Sequence, residues 1–205
     1  VRVPAVSPSG REIAYLSDIG GHSNLWILRI DTGEARQLTF ESDPKTLIGL
    51  PLWSPDGRRI AFYWRRGNDF GYSMIQSDGS GLHQILTKAW WACWSPDGRW
   101  LYYQDLQGTG RHLMKIPADG GPTIVVRNES AAAPALSSDG KTLYFVLEVP
   151  RQTGAVDSEI RSANPENGPS RVLARIGAHR APASGRFHPV ISPDARWLAL
   201  PLFDG

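Results

Sequence analysis

The sequence is poor in the residues that disulfide frameworks, metal centres and membrane anchors need. Cys93 is the only cysteine among 205 residues, so neither an internal disulfide nor a thiolate zinc cage can form. No apolar run reaches the roughly 18 residues that cross a bilayer, so we expect no membrane insertion, and no signal peptide is predicted. A chain without disulfides is compatible with either the cytoplasm or the periplasm.

Charge of one sign is also lacking. The 22 basic and 20 acidic residues nearly balance, which gives no indication of a nucleic-acid partner or an anionic membrane. The five histidines include no His-x-His pair, and no G-x-S-x-G motif occurs. We therefore expect no cofactor, no metal and no catalytic residues in this chain.

One sequence motif, in contrast, is repeated five times; we call it the phrase. It begins at Ser7, Ser54, Ser95, Ser137 and Ser192 and reads SPSGREIAYL, SPDGRRIAFY, SPDGRWLYYQ, SSDGKTLYFV and SPDARWLALP. Each copy combines a tight turn with an apolar strand, and the lack of polar alternation indicates a strand covered on both faces. A repeat of about 40–55 residues cannot bury its own hydrophobic face, so the copies must stack, as the blades of a β-propeller do.

We therefore expect a single all-β domain over residues 1–205, a β-propeller of four-stranded antiparallel blades. The predicted blades cover about 4–40, 50–87, 91–126 and 134–175, with a partial blade at 189–205. Four and a half blades make an incomplete ring. Together with the start at Val1 rather than Met, this indicates a piece of a longer protein.

Strand order predicts where a partner binds. The SPDG-type turns join the first and second strands of each blade, and short Asp-Gly turns join the third and fourth, so antiparallel order places both on one face. The connections from strand two to three and from strand four to the next blade lie on the other face, which we call the long-loop face. The predicted insertions, 149–156 and 176–188, fall there, and insertions on one face of a repeat stack usually mark its binding side.

Two groups of candidate binding residues lie on this predicted face. Arg65, Arg66 and Asp69 fill a connection in the second blade, where two arginines can clamp a carboxylate or an acidic partner. The alternative is ordinary solvated loop charge. Trp90 and Trp91 precede the third blade, where they either stack against a peptide or sugar or pack between blades; packing is the favoured interpretation for Trp91.

A third group lies ahead of the last repeat. His179, Arg180, Arg186 and His188 are expected at an arginine-lined channel mouth, and the two histidines match no compact metal-ligand spacing. The turn aspartates sit at equivalent places in different repeats and cannot converge on one substrate, so we expect a structural role for them; they are Asp56, Asp97, Asp139 and Asp194. Cys93 is expected to be a small buried hydrophobe.

The phrase resembles the repeat of TolB-like propellers. WSPDGR at Trp53 and Trp94 and RQLT at Arg36 carry this resemblance, which extends over essentially the whole chain. It implies a propeller of roughly six or seven blades that binds proteins or peptides, commonly on the cell-envelope side and hence in the periplasm. It implies no catalytic residues.

The leading hypothesis is a non-enzymatic module that binds a protein or peptide through its long-loop face. The alternatives are the accessory propeller of a prolyl-oligopeptidase-type serine peptidase and the sensor region of a kinase or transcriptional regulator, because such repeats occur attached to all of these. A propeller resembling oligogalacturonate lyases is a weaker alternative, since those gather several histidines around a metal.

Overall fold

A computed structural model describes residues 2–108, 111–150, 156–166, 168–176, 190–192, 194 and 196–199. These residues form β-strands, turns and loops, and no helix occurs among them. Accordingly, the described part of the chain holds no helix that could span a bilayer. The chain divides into two compact units, Val1–Lys88 (unit 1) and Ala89–Gly205 (unit 2).

Unit 1 consists of two four-stranded antiparallel sheets in which sequential strands are neighbours. Blade 1 contains β1 (Arg2–Val6), β2 (Glu12–Ser17), β3 (Asn24–Arg29) and β4 (Ala35–Gln37). Blade 2 contains β5 (Thr46–Trp53), β6 (Arg59–Arg66), β7 (Asp69–Gln76) and β8 (His83–Thr87).

Unit 2 repeats the arrangement. Blade 3 contains β9 (Ala89–Trp94), β10 (Trp100–Asp105), β11 (His112–Pro117) and β12 (Ile124–Arg127), and blade 4 contains β13 (Ala131–Leu136), β14 (Leu143–Pro150), β15 (Val156–Ala163) and β16 (Arg171–Arg175). A two-stranded sheet follows, β17 (Val190–Ile191) and β18 (Leu198–Ala199). The predicted all-β class and four-stranded antiparallel blades are confirmed.

The repeated turn is held together by its own serine and aspartate. In blade 2 the Ser54 hydroxyl donates to Asp56 Oδ1 at 2.6 Å, and Ser54 Oγ accepts from the amide of Arg59 at 2.9 Å. Asp56 Oδ1 also accepts from the Arg58 amide, and Gly57 supplies the left-handed backbone with φ of 69°. The same 2.6 Å bond recurs at Ser95–Asp97, Ser137–Asp139 and Ser192–Asp194.

The aspartates of these turns should make the free energy of unfolding depend on pH in the acidic range. The Ser95 hydroxyl, the Arg99 amide and the Arg99 side chain lower the pKa of Asp97 from 3.8 to about 2, and Ser54 lowers that of Asp56 in the same direction. A carboxylate whose pKa falls on folding stabilises the protein above its unfolded-state pKa and stops doing so as pH falls through the folded value.

We therefore expect the free energy of unfolding to fall between about pH 4 and about pH 2. The double substitution Asp56→Asn and Asp97→Asn keeps an acceptor for each serine but cannot titrate, so urea unfolding should show a shallower pH dependence. Ser95→Ala, which removes the donor, should flatten it as well. An unchanged slope in both variants would contradict this assignment.

Stacked sheets form the cores inside each unit. In unit 1, Leu16 and Leu25 of blade 1 pack with Ile60 and Phe62 of blade 2 in one buried cluster, and the Trp53 indole donates to the carbonyl of Ala5 at 3.0 Å. Neighbouring side chains on β6 point to opposite faces, yet Ile60 and the two residues after it are all buried. Both faces of this strand are therefore covered.

In unit 2 a buried cation joins blades 3 and 4. Lys115 on β11 is 4% exposed, and its Nζ lies 2.9 Å from Glu166 Oε1, 4.7 Å from the Trp100 ring centre and 5.8 Å from that of Tyr102. The Glu166 side chain is 68% exposed. The two partners therefore differ greatly in how much hydration they have lost.

This asymmetry predicts unequal effects of substitution. Glu166→Ala should reduce the free energy of unfolding by about 1–3 kcal/mol, because it leaves the buried ammonium without its carboxylate. Lys115→Met should cost less than about 1 kcal/mol, because Glu166 is then solvated and the aromatic rings keep an apolar neighbour.

The exposed pair Arg111–Glu148 serves as a matched control, since Glu148→Ala should change stability by less than about 1 kcal/mol. Urea unfolding of the three variants measures the order. If Lys115→Met proves the most damaging, the assigned role of Glu166 is wrong.

The first strand of three blades contains a strained residue at one repeated position. Leu50, Trp91 and Ala133 have φ of 49°, 54° and 53°, each four positions before the serine of its turn. The pairing register shifts at each site, as in a β-bulge. Pro51 and Pro134 follow two of them, because proline, which lacks an amide donor, is tolerated at bulges.

Candidate functional site

The long-loop face keeps its predicted parity in the described sheets, but the connection expected around residues 65–70 of the second blade is shorter than predicted. Most of the predicted insertions 149–156 and 176–188 lies outside the described residues. In blade 2 the turns 54–57 and 77–82 lie at one end of the sheet, and the β6–β7 connection lies at the other. That connection consists of Gly67 and Asn68 alone. Arg65, Arg66 and Asp69, expected in a loop, therefore lie on paired strands, because the β6–β7 ladder continues to the pair Arg66 and Asp69.

The longer connection at this end is the segment 38–45 between β4 and β5, here called the connector. Buried Asn24 at the start of β3 fixes it: its Oδ1 accepts from the Glu41 amide at 2.7 Å and from the Thr39 hydroxyl at 2.9 Å. Its Nδ2 donates to the Glu41 carbonyl at 3.1 Å. One buried amide thus holds the connector against blade 1.

Arg66 attaches the other side of the connector to blade 2. Its Nε lies 2.8 Å from Thr46 Oγ1 and 3.1 Å from Asp43 Oδ2, and its Nη2 lies 3.5 Å from Glu41 Oε2. The guanidinium already has two carboxylate partners within its own chain. An anionic ligand would have to compete with both of them.

Arg65 and Asp69 also have partners within blade 2 or directly after it. Arg65 Nε donates to the carbonyl of Gly67 at 3.0 Å. Asp69 Oδ1 lies 3.1 Å from Lys88 Nζ, and Lys88 lies 5.1 Å from the Phe70 ring centre. Three of the predicted site residues thus lie at one end of blade 2, where Arg66 and Asp69 are paired across the β6–β7 ladder.

A pocket of about 780 Å³ opens beside this end of blade 2, entirely within unit 1. Its wall combines the connector with residues of β5, β6, β7 and β8. Its wall is formed by buried or half-buried apolar side chains together with polar residues, some of which are exposed. The lining residues are Leu38, Thr39, Glu41, Thr46, Ile48, Phe62, Trp64, Arg66, Asp69, Ser73, His83 and Gln84, with Gly79. Phe40 and Leu82 also line it, with 78% and 55% of their surface exposed.

Trp64 contributes an unsatisfied hydrogen-bond donor to this wall. Its indole N–H is buried and has no hydrogen-bond acceptor among the residues that the structure describes. Directly across the ladder from Trp64 stands Gly71. A Cβ built on Gly71 would overlap the carbonyl oxygen of Leu86, so this position has no room for a side chain.

Gly71 should therefore be needed for the geometry of the pocket. Gly71→Ala should lower the free energy of unfolding by about 2 kcal/mol or more, because β8 must move away to admit a methyl group. Gly49→Ala on β5 is the matched control: its Cβ would meet only Tyr63 Cδ1 at 3.9 Å, an ordinary contact. Thermal and urea unfolding compare the two, and equal effects would show that crowding at Gly71 is unimportant.

The tryptophan pair lies on a strand and not in the expected loop. Both residues belong to β9, and Trp91 is 3% exposed and packs with Ala132, Ala133 and Val146, with Trp90 partly buried against the same cluster. The register shift of β9 against β10 also falls at Trp91, whose φ is 54°. The structure thus places Trp91 in a packing position, the interpretation favoured from the sequence.

The remaining predicted positions contribute little to a described site. His179, Arg180, Arg186 and His188 lie outside the described residues. Within the described ranges, no three His, Cys, Asp or Glu side chains lie close enough to hold a metal ion.

Cys93, expected to be buried, is partly buried and packs against the core of unit 2. Burial raises the pKa of its thiol to about 12.

Sequence reasoning missed Thr39, Glu41, Asp43, Thr46, Trp64 and Ser73. A signal for the connector was present, since the acidic TFESDP stretch follows the fourth strand of the first blade. No signal marked the pocket itself, because its wall brings together segments that are far apart in the sequence.

Four-stranded antiparallel sheets built on a shared turn define a β-propeller protein. The model of the TolB beta propeller domain family matches residues 1–200, and the chain belongs to this family. The resemblance seen in the WSPDGR and RQLT segments is therefore confirmed.

Two curated relatives illustrate the family's range. The chain is 29% identical over 145 residues to the uncharacterized peptidase YuxL of Bacillus subtilis, a match that covers 69% of this chain and 21% of that protein. It is 38% identical over 84 residues to the Tol-Pal system protein TolB of Anaeromyxobacter dehalogenans, covering 41% of this chain and 18% of that protein. The matches thus span about a fifth of each relative's length.

Solved structures agree on the fold. TolB from Acinetobacter baumannii superposes with a TM-score of 0.71 at 20% identity, covering 96% of this chain and 47% of that one. An oligogalacturonate lyase in complex with manganese gives 0.71 at 16% identity, covering 94% and 56%. At these identities the likeness shows the fold alone, and it is shared by TolB and lyase propellers.

Proposed function

We propose that this chain is a non-enzymatic propeller module that binds a protein or peptide partner at the long-loop end of its blades. The observation that carries the proposal is the pocket beside blade 2. It runs from Arg66 and Asp69 at that end along the sheet to Leu82. Its span along β6, from Phe62 to Arg66, matches roughly four residues of an extended peptide at about 3.3 Å per residue.

The character of the pocket supports a peptide rather than a reacting substrate. An apolar wall with dispersed polar groups suits a chain that alternates side chains and backbone amides. The polar groups of the connector are engaged with one another and not aimed at a common point, as a catalytic arrangement requires. By its TolB resemblance, we place the full-length protein in the cell envelope as part of the same proposal.

The second candidate is an accessory propeller of a serine peptidase, favoured by the match to YuxL over 69% of this chain. In that case the propeller would select peptides for a catalytic domain elsewhere in the full-length protein. A G-x-S-x-G motif in a neighbouring domain of the full reading frame would support this candidate. No comparable observation favours a kinase, a transcriptional regulator or a lyase.

The proposal predicts that peptides protect the connector. Peptides selected from a random library on the immobilised chain should slow amide hydrogen exchange in 38–46 and 65–70, because ordering and desolvation suppress local opening. The matched controls are scrambled versions of each peptide. Protection confined to the turns 54–57 and 77–82, or a library without binders, would overturn the proposal.

A further inference from the structure

Each blade has two faces, which its second strand distinguishes. The front face carries the residues six and eight positions after the turn serine, such as Ile60 and Phe62 in blade 2. The back face carries the residue between them, such as Ala14 in blade 1, because neighbouring side chains on a strand point to opposite faces. The repeat thus allows equivalent surfaces of different blades to be compared.

In unit 1 the front face of blade 2 is seated on the back face of blade 1. Ile60 and Phe62 lie in one buried cluster with Ala14 and Leu16, which both alternate onto the back face of blade 1. The front face of blade 2 is therefore completed by another sheet of the same kind.

Unit 2 shows the same seating. Leu143 and Phe145 follow the turn serine of blade 4 by six and eight positions and belong to its front face. They are buried together with Tyr102, which lies seven positions after Ser95 and belongs to the back face of blade 3. Equivalent positions thus make equivalent contacts in both units.

The front face of blade 1 is equally apolar but has much less cover. Val6 is 60% exposed, whereas Trp53, which holds the same place in blade 2, is 9% exposed. Ile13 and Leu28 are paired across the β2–β3 ladder and half-buried, although the corresponding pair of blade 2 is almost completely buried. Tyr15 is buried like its counterpart. A surface of the kind that is covered in blade 2 is therefore open in blade 1.

No charged strand residue lies on this open face. Glu12 and Arg29 are paired on the ladder two positions from the pair Ala14 and Ile27, and Arg36 is paired with Ile27, so all three belong to the back face. Arg2 on β1 is paired with Leu16, another back-face position. An apolar partner could therefore cover the front face without burying an unpaired charge of these strands.

We infer that the front face of blade 1 is a docking surface for the back face of a further four-stranded blade of the same full-length polypeptide. The seating of the equivalent front faces in both units argues for this occupant. The solved TolB chain described above extends beyond the part that this chain covers, so such relatives have chain from which a further blade can come. The inference goes beyond peptide binding and does not depend on it.

Thiol labelling compares the chain as it stands with the full-length protein. Val6→Cys places a thiol on the front face with little change in size. We expect a maleimide to label this thiol about tenfold or more slowly in the full-length protein than in the chain, because a covered thiol reacts only when the interface opens. Peptide mass spectrometry follows labelling at the introduced cysteine alone.

Two further cysteine variants make the comparison specific. Leu28→Cys probes the same face from β3 and should show the same slowing, which keeps the test informative if Val6→Cys disturbs the end of β1. Thr32→Cys lies in the exposed turn between β3 and β4 and is the matched control. It should react at the same rate in both proteins.

Photo-crosslinking identifies what covers the face. Benzophenone-maleimide attached to Val6→Cys in the full-length protein should crosslink to strands that contain a further copy of the phrase. Equal labelling in the two proteins, or crosslinks to a segment without the phrase, would overturn the inference. Labelling of the chain alone that slows as its concentration rises would identify a second copy as the occupant and would also overturn it.

Discussion

Burial of both faces of the second strand is the constraint on which each blade depends. On β6 three successive residues are buried, which on a strand means that apolar side chains project from both faces of the sheet. A single four-stranded sheet cannot cover both of its own faces, so it is stable only when stacked. The Trp53–Ala5 hydrogen bond in unit 1 and the Lys115–Glu166 pair in unit 2 then fix how neighbouring sheets sit.

Structural features whose hydrogen bonds join residues only a few positions apart could be predicted from the sequence. The turn at Ser54 uses partners no more than five positions away, so its repetition was enough to predict the turn, the strands on either side and the order of the blade. The family assignment follows from the same local phrase. Such features need no knowledge of distant contacts, because their hydrogen bonds are complete within the turn.

The candidate site could not be predicted in the same way because its contacts are distant in sequence. Arg66 was correctly singled out, but its partners Asp43 and Glu41 come from another connection and change what the arginine can do. Packing was the favoured interpretation for Trp91, but its neighbours Ala132, Ala133 and Val146 come from the next blade and could not be named from the sequence. The wall of the pocket combines the connector with four strands of blade 2, so no single segment of the sequence indicates it.

The bulge of the first strands has a consequence for how such blades diverge. Leucine, tryptophan and alanine occupy the same left-handed position at Leu50, Trp91 and Ala133, although none of them prefers that conformation. We infer that the strand pairing on either side imposes the left-handed backbone conformation, whatever side chain stands at this position. Duplicated blades can thus change the residue type at this position and still keep the same backbone bulge. A comparison of the repeat sequences alone would not reveal that this position is structurally equivalent.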